Sequence, residues 1–195
     1  AYYGTTNNFW HNSVFNDYTS SPVGMYLYAG SGWDVRNNIF ALGGNSGYAF
    51  YASAASCLTS CDNNVYFTGS SSNYVYIGQG YNNMAALTGN PNGMNSNIFN
   101  SAPAFLSMSS PVDLHISSAV SSPRGDGSVG VATDIDGDQR CAFAPTIGCD
   151  ESAITPSAAA RTNTTVSSGV RANSPRAAAS RNRFSVGCSV FWSCS

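Results

Sequence analysis

The chain has 195 residues, of which 43% are hydrophobic, 12% aromatic and only 9% charged, with a formal net charge of −2. Residues 1–151 carry three arginines against ten acidic residues, and lysine is absent from the whole chain. A negative main part without a basic cluster argues against nucleic-acid binding, and no apolar run reaches the ~18 residues of a membrane span.

A short phrase recurs along the chain. Asn37-Asn38-Ile39-Phe40 is followed by Asn63-Asn64-Val65-Tyr66, and a related phrase, Asn7-Asn8-Phe9-Trp10, stands upstream. Residues 36–51 align with residues 62–77 at a shift of 26, which places Phe50 over Tyr76. Self-similarity at one such period is typical of stacked repeats, in which each copy is too small to bury its own apolar face.

In chain order, residues 1–31 form an irregular first repeat with an alternating strand at 24–29. Residues 33–56 are the clearest repeat, and we predict strands at 33–36, 39–42 and 48–52. Residues 60–78 repeat that pattern. Asparagine tolerates the left-handed backbone of a corner, and stacked copies can join their amides in a ladder. We expect Asn38 and Asn64 to form that ladder, and Arg36 to form an ion pair with Asp62.

The repeat pattern stops after Gly80. A helical turn is predicted at Met84–Leu87, capped by Asn82 or Asn83 and ended by Gly89. Short apolar segments and a strand at 112–116 follow. We therefore divide the chain into repeats at 1–116 with an insertion at 80–106, an irregular closing cap at 117–151, and a Ser/Ala/Arg-rich tail at 152–195 that we expect to be disordered.

Six cysteines occur in three close pairs, which are Cys57 and Cys61, Cys141 and Cys149, and Cys188 and Cys194. An even, locally paired set predicts disulfides in an oxidising compartment, although six cysteines allow 15 connectivities. A surface built from Asn, Ser, Thr and Gly also suits a secreted or cell-surface protein. The opening residues look like the interior of a repeat, so we expect the chain to be part of a longer protein.

The segment from Asp113 to Glu151 carries an ordered set of motifs. Asp113-Leu114-His115-Ile116 is followed by Ser121-Ser122-Pro123, by residues 133–140 (TDIDGDQR) and by residues 147–151 (IGCDE). This order resembles the C-terminal end of bacterial parallel β-helix surface proteins of the choice-of-anchor Q type. The resemblance implies a pectate-lyase-like, right-handed parallel β-helix, secreted or surface-anchored, and it does not imply lyase activity.

Aromatic residues alternate with aliphatic ones in the three strands at 25–28, 48–51 and 74–77. If Met25, Leu27, Ala49, Val75 and Ile77 face the core, an outward face carries six aromatic residues. They are Tyr26, Tyr28, Tyr48, Phe50, Tyr74 and Tyr76. Aromatic faces with polar tips suit sugar rings, so we predict that this face binds a polysaccharide or cell-surface glycan. The alternative is that an insertion covers it.

Three acidic residues at alternate positions, Asp134, Asp136 and Asp138, suggest a calcium site; alternatively they accept backbone N–H bonds and hold the closing loop with Arg140. Asp34 and Arg36 share a strand face. Polysaccharide lyases of similar fold use an arginine base beside calcium-bound acids, so this pair is a catalytic candidate, with a salt bridge as the alternative. His115 beside Asp113 could act in acid–base catalysis, or it is an exposed strand histidine.

These observations favour a non-catalytic, glycan-binding part of an extracellular β-helix. A polysaccharide lyase or glycoside hydrolase with catalytic repeats upstream is the second hypothesis, and a purely structural stalk is the third. Apart from calcium, the sequence points to no cofactor.

Overall fold

The computed structural model describes residues 7–44, 47–69, 75–89, 94–95, 97–117 and 122–152. Its regular elements are mainly β-strands, so the all-β prediction is confirmed. The first nine strands are β1 (Asn7–Trp10), β2 (Ser13–Asn16), β3 (Val23–Leu27), β4 (Trp33–Arg36), β5 (Ile39–Leu42), β6 (Tyr48–Ala52), β7 (Leu58–Asp62), β8 (Asn64–Thr68) and β9 (Val75–Ile77). They are followed by β10 (Gly80–Tyr81), β11 (Ile98–Phe99), β12 (Phe105–Ser107) and β13 (Asp113–Ile116). The helices are α1 (Met84–Thr88) and two 3₁₀ turns, Ala55–Cys57 and Gly127–Val129.

The first nine strands stack in groups of three, which we call rung 1 (β1–β3), rung 2 (β4–β6) and rung 3 (β7–β9). Corresponding strands of successive rungs pair in parallel, giving sheet 1 (β1-β4-β7), sheet 2 (β2-β5-β8, extended by β11) and sheet 3 (β3-β6-β9, with β10 antiparallel). Strands β12 and β13 form a separate antiparallel pair. Ile39 lies opposite Val65 on adjacent strands, as the 26-residue alignment predicts.

A left-handed residue marks the corner between sheets 1 and 2 in every rung. The backbone φ is 60° at Asn37 and 53° at Asn63, as expected for asparagine. In rung 1 the same position is taken by His11, with φ 54°. The corner of rung 1 is therefore His11-Asn12; the upstream phrase beginning at Asn7 lies within β1 instead.

The residue after each corner forms the asparagine ladder. Asn12 Nδ2 donates to Asn38 Oδ1 at 3.1 Å, and Asn38 Nδ2 donates to Asn64 Oδ1 at 3.0 Å. Each acceptor also takes the backbone N–H of the residue in the rung before it, at 2.9 Å. The predicted ladder through Asn38 and Asn64 is confirmed, and Asn12 is a further member.

Aromatic rings fill the interior between the sheets. Phe40 is fully buried and its ring centroid lies 6.1 Å from Phe9, 5.9 Å from Tyr66 and 5.6 Å from Phe50. Tyr66 keeps its hydroxyl satisfied by donating to Asn95 Oδ1 at 2.8 Å. The three rungs therefore share one core rather than three separate ones.

The repeat length differs between sheets. In sheet 2, Ile39 pairs with Val65, a separation of 26, whereas in sheet 3 Tyr51 pairs with Tyr76, a separation of 25. An irregularity between β4 and β7 restores the longer spacing. Trp33 pairs with Leu58, a separation of 25, whereas the next residue, Asp34, pairs with Ser60, a separation of 26. A shift of 26 therefore describes sheet 2 and all of sheet 1 except the Trp33–Leu58 pair, but it does not describe sheet 3.

The segment after rung 3 adds to the sheets at two points. Strand β10 folds back on β9, and β11 pairs with β8. Between them α1 begins at Asn83, whose side chain accepts from Ala86 N at 2.8 Å, and ends at Gly89. The predicted cap and stop of this helix are confirmed.

Residues 122–152 contain few regular elements and pack beside the corner of rungs 1 and 2. Gly148 N donates to Asn37 O at 2.9 Å, and Asp126 N donates to Asn37 Oδ1 at 2.9 Å. Gly125 lies so close to Asn37 that a Cβ there would be 2.3 Å from Oδ1. Cys149 N donates to Ser13 Oγ at 3.0 Å. Backbone N–H groups of this closing segment thus attach it to the rungs by donating to one backbone carbonyl and two side-chain oxygens.

Among the described residues, neither the predicted Cys57/Cys61 bridge nor the predicted Cys141/Cys149 bridge is present. Cys61 Sγ faces the core, 3.4 Å from Tyr66 Oη, whereas Cys57 Sγ lies 3.7 Å from Ser53 Oγ. Burial raises the pKa of Cys61 to about 12, which keeps it a neutral thiol. The Cys188/Cys194 pair lies outside the described residues.

Within the described residues, no helix is long and apolar enough to cross a membrane. The tail predicted to be disordered, residues 152–195, lies outside the described part of the chain except for Ser152.

Candidate functional site

Five tyrosines on the outer side of sheet 3 form a continuous group, here called the tyrosine array. They are Tyr26, Tyr28, Tyr48, Tyr51 and Tyr76. Tyr26, Tyr51 and Tyr76 occupy paired positions in β3, β6 and β9. Their ring centroids are 4.7 Å and 4.4 Å apart, with interplanar angles of 24° and 5°. The parallel register therefore stacks one ring per rung.

The remaining two rings flank this stack. Tyr48 meets Tyr51 and Tyr76 edge-on at 5.6 Å and 5.7 Å, and Tyr28 lies 6.3 Å from Tyr26. Tyr26 and Tyr28 are 42% and 53% exposed, and the other three are half-buried. The array is thus most open at its rung 1 end.

The structure changes the membership of the predicted aromatic face. Phe50 is fully buried in the core, so its prediction as a surface residue is wrong. The cause is the 25-residue spacing of sheet 3, which pairs Phe50 with Val75 and places Tyr51 on the outer face beside Tyr76. Sequence alignment at a shift of 26 missed Tyr51, because a one-residue slip exchanges the two faces of a strand. Tyr74 lies outside the described residues.

Stacking limits what the array can present to a ligand. The Tyr51 ring face is covered by Tyr26 on one side and Tyr76 on the other. A sugar ring that packs on an aromatic face therefore finds open surface mainly on Tyr26 and Tyr28. Burial and the neighbouring phenols Tyr76 and Tyr26 raise the pKa of Tyr51 above its usual value. Tyr51 is therefore uncharged at neutral pH.

Arg36 is held by two carboxylates. Its Nε and Nη2 donate to the two oxygens of Asp34 at 2.7 Å and 2.6 Å, and Nη1 donates to Asp126 Oδ2 at 3.0 Å. Its guanidinium also lies 5.8 Å from the Trp10 ring centroid. The hydrogen bond to Asp34 is the main reason why the pKa of Arg36 is raised further. An arginine so engaged is a poor proton acceptor.

The predicted ion pair between Arg36 and Asp62 is wrong. The two residues are paired in register, but the guanidinium is directed to Asp34 and Asp126. The Asp62 carboxylate instead accepts the backbone N–H of Asn97 at 2.7 Å. The bidentate geometry offered by Asp34 on the same strand explains this preference.

His115 joins two carboxylates. Its Nδ1 lies 2.5 Å from Asp113 Oδ1 and its Nε2 lies 3.2 Å from Asp136 Oδ2. The hydrogen bond to Asp113, with the charges of Asp113 and Asp136, raises the pKa of His115. In turn, the hydrogen bonds from His115 lower the pKa of Asp113. His115 and Asp113 line a shallow cleft with Asn12, Ser13 and Ile135. The protonated imidazole of His115 could donate a proton there.

The acidic loop is organised around Asp134. Its Oδ1 accepts from Asp136 N at 3.0 Å and Asp138 N at 2.8 Å, and its Oδ2 accepts from Glu151 N at 2.9 Å. Burial alone would raise the pKa of Asp134, but these N–H donors outweigh it and the pKa is lowered. Among the described residues, no group of three or more His, Cys, Asp or Glu side chains could hold a metal ion. The loop geometry therefore gives the calcium prediction no support.

The other histidine, His11, is buried beside the closing segment. His11 Nε2 is 2.9 Å from Asn37 Nδ2, and the Asn37 amide is oriented by its bonds to the Asp126 backbone. Nε2 is therefore the acceptor and Nδ1 carries the proton. Burial, reinforced by the charge of Arg140, lowers the pKa of His11 to about 4. His11 and Arg140 line a cavity of about 210 Å³ under the closing segment.

No known family model, curated protein or solved structure matches the chain.

Proposed function

We propose that this chain is part of a right-handed parallel β-helix of a secreted or cell-surface protein, similar to the choice-of-anchor Q group, and that it binds polysaccharide through the tyrosine array. Three rungs with parallel pairing and a continuous asparagine ladder support the β-helix. The motifs between Asp113 and Glu151 support the family and the location. The glycan is the partner that the chemistry of the array favours.

The tyrosine array is the observation on which this function rests. Tyrosine offers a polarisable ring and a hydroxyl in one rigid side chain, which suits the alternating C–H and O–H surfaces of a sugar. The array spans three successive rungs, so several sugar units could lie along it. A group of this size on one face of a sheet normally marks a contact surface.

The geometry assigns different roles within the array. Tyr26 and Tyr28 are the most exposed of the five tyrosines and would pack against a sugar. Tyr51 and Tyr76 are stacked and half-buried, so they offer edges and hydroxyls and hold Tyr26 in place. We expect the rung 1 end of the array to supply most of the binding free energy.

A binding assay against a panel of soluble neutral and acidic polysaccharides tests the proposal. The double variant Tyr26→Ala/Tyr28→Ala should weaken binding of any retained polysaccharide by at least about tenfold, since each aromatic contact contributes roughly 1 kcal/mol. Tyr18→Ala is the matched control, because Tyr18 is 65% exposed but lies outside the array. Equal binding by the double variant and wild type would exclude the array as the site. No binding to any polysaccharide would favour a structural stalk.

A second function, polysaccharide cleavage, is favoured by one observation. His115 lies between Asp113 and Asp136 in an open cleft, an arrangement that can donate a proton to a glycosidic oxygen. Arg36 is less suited to the role of base, because its guanidinium forms ion pairs with both Asp34 and Asp126. Release of reducing ends that is lost in His115→Gln would establish this activity. Its absence over the same panel, while binding persists, would leave the binding function.

A further inference from the structure

The closest stacking of side chains in the tyrosine array is between two phenols on neighbouring strands. The Tyr51 and Tyr76 centroids are 4.4 Å apart with nearly parallel rings, at an interplanar angle of 5°, and Tyr26 stacks on the other side of Tyr51. Paired positions on parallel strands hold their Cα atoms about 4.8 Å apart. Ring atoms of one phenol therefore lie almost in van der Waals contact with those of the next.

We propose that the tyrosine array is a site of intramolecular dityrosine formation, with Tyr51 cross-linked to Tyr76 or to Tyr26. The co-reactant is hydrogen peroxide, used through a one-electron oxidant such as a haem peroxidase. This inference depends on ring geometry alone and stands whether or not the array binds a glycan.

The chemistry requires two neighbouring phenoxyl radicals. Each of two tyrosines loses one electron and its hydroxyl proton, and one molecule of peroxide is reduced to two molecules of water. The unpaired electrons then couple as a carbon–carbon bond between ring carbons ortho to the oxygens. Each of these carbons then passes its hydrogen, as a proton, to the carbonyl oxygen of its own ring, which restores both aromatic phenols. The product lacks two hydrogen atoms relative to the reduced protein.

Stacked rings suit this coupling for two reasons. The spin density of a phenoxyl radical lies in orbitals perpendicular to the ring, so a face-to-face approach brings the reacting lobes together. The oxidant can also reach the array, because Tyr26 and Tyr28 are exposed at its rung 1 end. The contact between the Tyr26 and Tyr51 rings then lets the radical pass from Tyr26 to Tyr51 by electron transfer. Tyr51 is the shared member, since it stacks with both neighbours.

The experiment treats the full chain, at low protein concentration, with a haem peroxidase and hydrogen peroxide. Cleavage before aspartates separates the three stacked rings into peptides 17–33, 34–61 and 62–112. Mass spectrometry should find 34–61 joined to 62–112 or to 17–33, with a mass two hydrogens below the sum and dityrosine fluorescence. The bond should map to Tyr51. Its yield per chain should not depend on protein concentration.

Two conservative variants decide the assignment. Tyr51→Phe keeps the ring and should abolish both joined products. Tyr18→Phe removes a tyrosine that is 65% exposed, the most exposed of those in the described residues, and should leave the joined products unchanged. Joined products that persist in Tyr51→Phe would overturn the assignment. So would a wild-type reaction that yields only intermolecular products through Tyr18, because exposure rather than stacking would then govern the coupling.

Discussion

Asn38 shows how one side chain connects three rungs. Its Nδ2 donates to Asn64 Oδ1 in rung 3 and contacts Phe9 O in rung 1 at 2.7 Å, while its Oδ1 accepts from Asn12. The residue is fully buried. Because water cannot replace these partners, each group left unpaired costs about 1–3 kcal/mol.

Replacing Asn38 with alanine should therefore lower the free energy of unfolding by about 3 kcal/mol or more. Urea unfolding followed by circular dichroism measures this. Asn8→Ala is the control, because Asn8 is exposed in β1, and it should change stability by less than about 0.5 kcal/mol. Similar midpoints for the two variants would show that the ladder contributes nothing particular.

The two histidines should respond to pH in opposite directions. His11 has a folded pKa of about 4, below the unfolded value of 6.5, so its contribution to stability is complete above pH 6.5 and is lost as pH falls toward 4. The pKa of His115 is raised, so its contribution is complete below pH 6.5 and is lost as pH rises through the folded value.

Comparing His11→Gln with wild type separates the contribution of His11 to the pH dependence of stability from the contribution of the carboxylates. The loss of stability between pH 7 and pH 4.5 should be smaller in the variant by about 2–3 kcal/mol, since 1 pKa unit corresponds to about 1.4 kcal/mol. Urea unfolding at both pH values is the measurement. Equal losses in the two proteins would contradict the neutral, buried state of His11. The matched His115→Gln variant should not reduce this acid loss.

At the scale of elements, the closing segment depends on Arg140. The Arg140 side chain is 2% exposed and donates to the carbonyls of Thr146, Gly148 and Cys149 at 3.2, 3.0 and 2.7 Å. Glu151, in turn, accepts from Thr146 N at 2.8 Å. The closing segment contains little regular secondary structure, so the planar guanidinium of Arg140 organises much of its backbone.

Arg140→Lys should therefore loosen the closing segment even though the charge is kept. An ammonium cannot reach these three carbonyls as a planar guanidinium does, so we expect hydrogen exchange in residues 122–152 to accelerate at least tenfold. Arg124→Lys is the control, because Arg124 is 33% exposed and contacts Glu151 from the surface. Equal protection in both variants would argue against Arg140 as the organising residue.

Features of the rungs could be predicted from the sequence where a residue and its close neighbours in the chain determine them. The corners at Asn37 and Asn63, the ladder, the Asn83 cap and the strand at 48–52 all follow from backbone preference and alternation. The outer face of sheet 3 could not be assigned fully, because a connection one residue shorter changes the register of β6 and β9 and only the folded pairing reveals it. The contacts of His115 with Asp136 and of Arg36 with Asp126 join residues far apart in sequence, and no local pattern indicates them.

At the scale of the whole molecule, the rungs share one aromatic core centred on Phe40. Its ring contacts Phe9, Phe50 and Tyr66, which belong to three different rungs. Loss of this ring removes contacts to rungs on both sides at once. Rungs 1–3 should therefore unfold as a unit.

Phe40→Ala should lower the free energy of unfolding by about 3–5 kcal/mol, and the transitions followed by tryptophan fluorescence and by circular dichroism should remain coincident. Phe143→Ala, at a 76% exposed position, should have an effect below about 0.5 kcal/mol. Two separated transitions in the wild type would show that the rungs unfold independently.

The asparagine ladder has a polarity that restricts how the stack can be extended. Every amide dipole in it points the same way, from the nitrogen of Asn12 to the oxygen of Asn38 and from the nitrogen of Asn38 to the oxygen of Asn64. Among the described residues, Asn12 Oδ1 is the acceptor at the rung 1 end of the ladder, and a strand group stacked above rung 1 must approach it with N–H donors. An inverted neighbour would oppose one carbonyl oxygen to another, so growth on that side is compatible with only one chain direction.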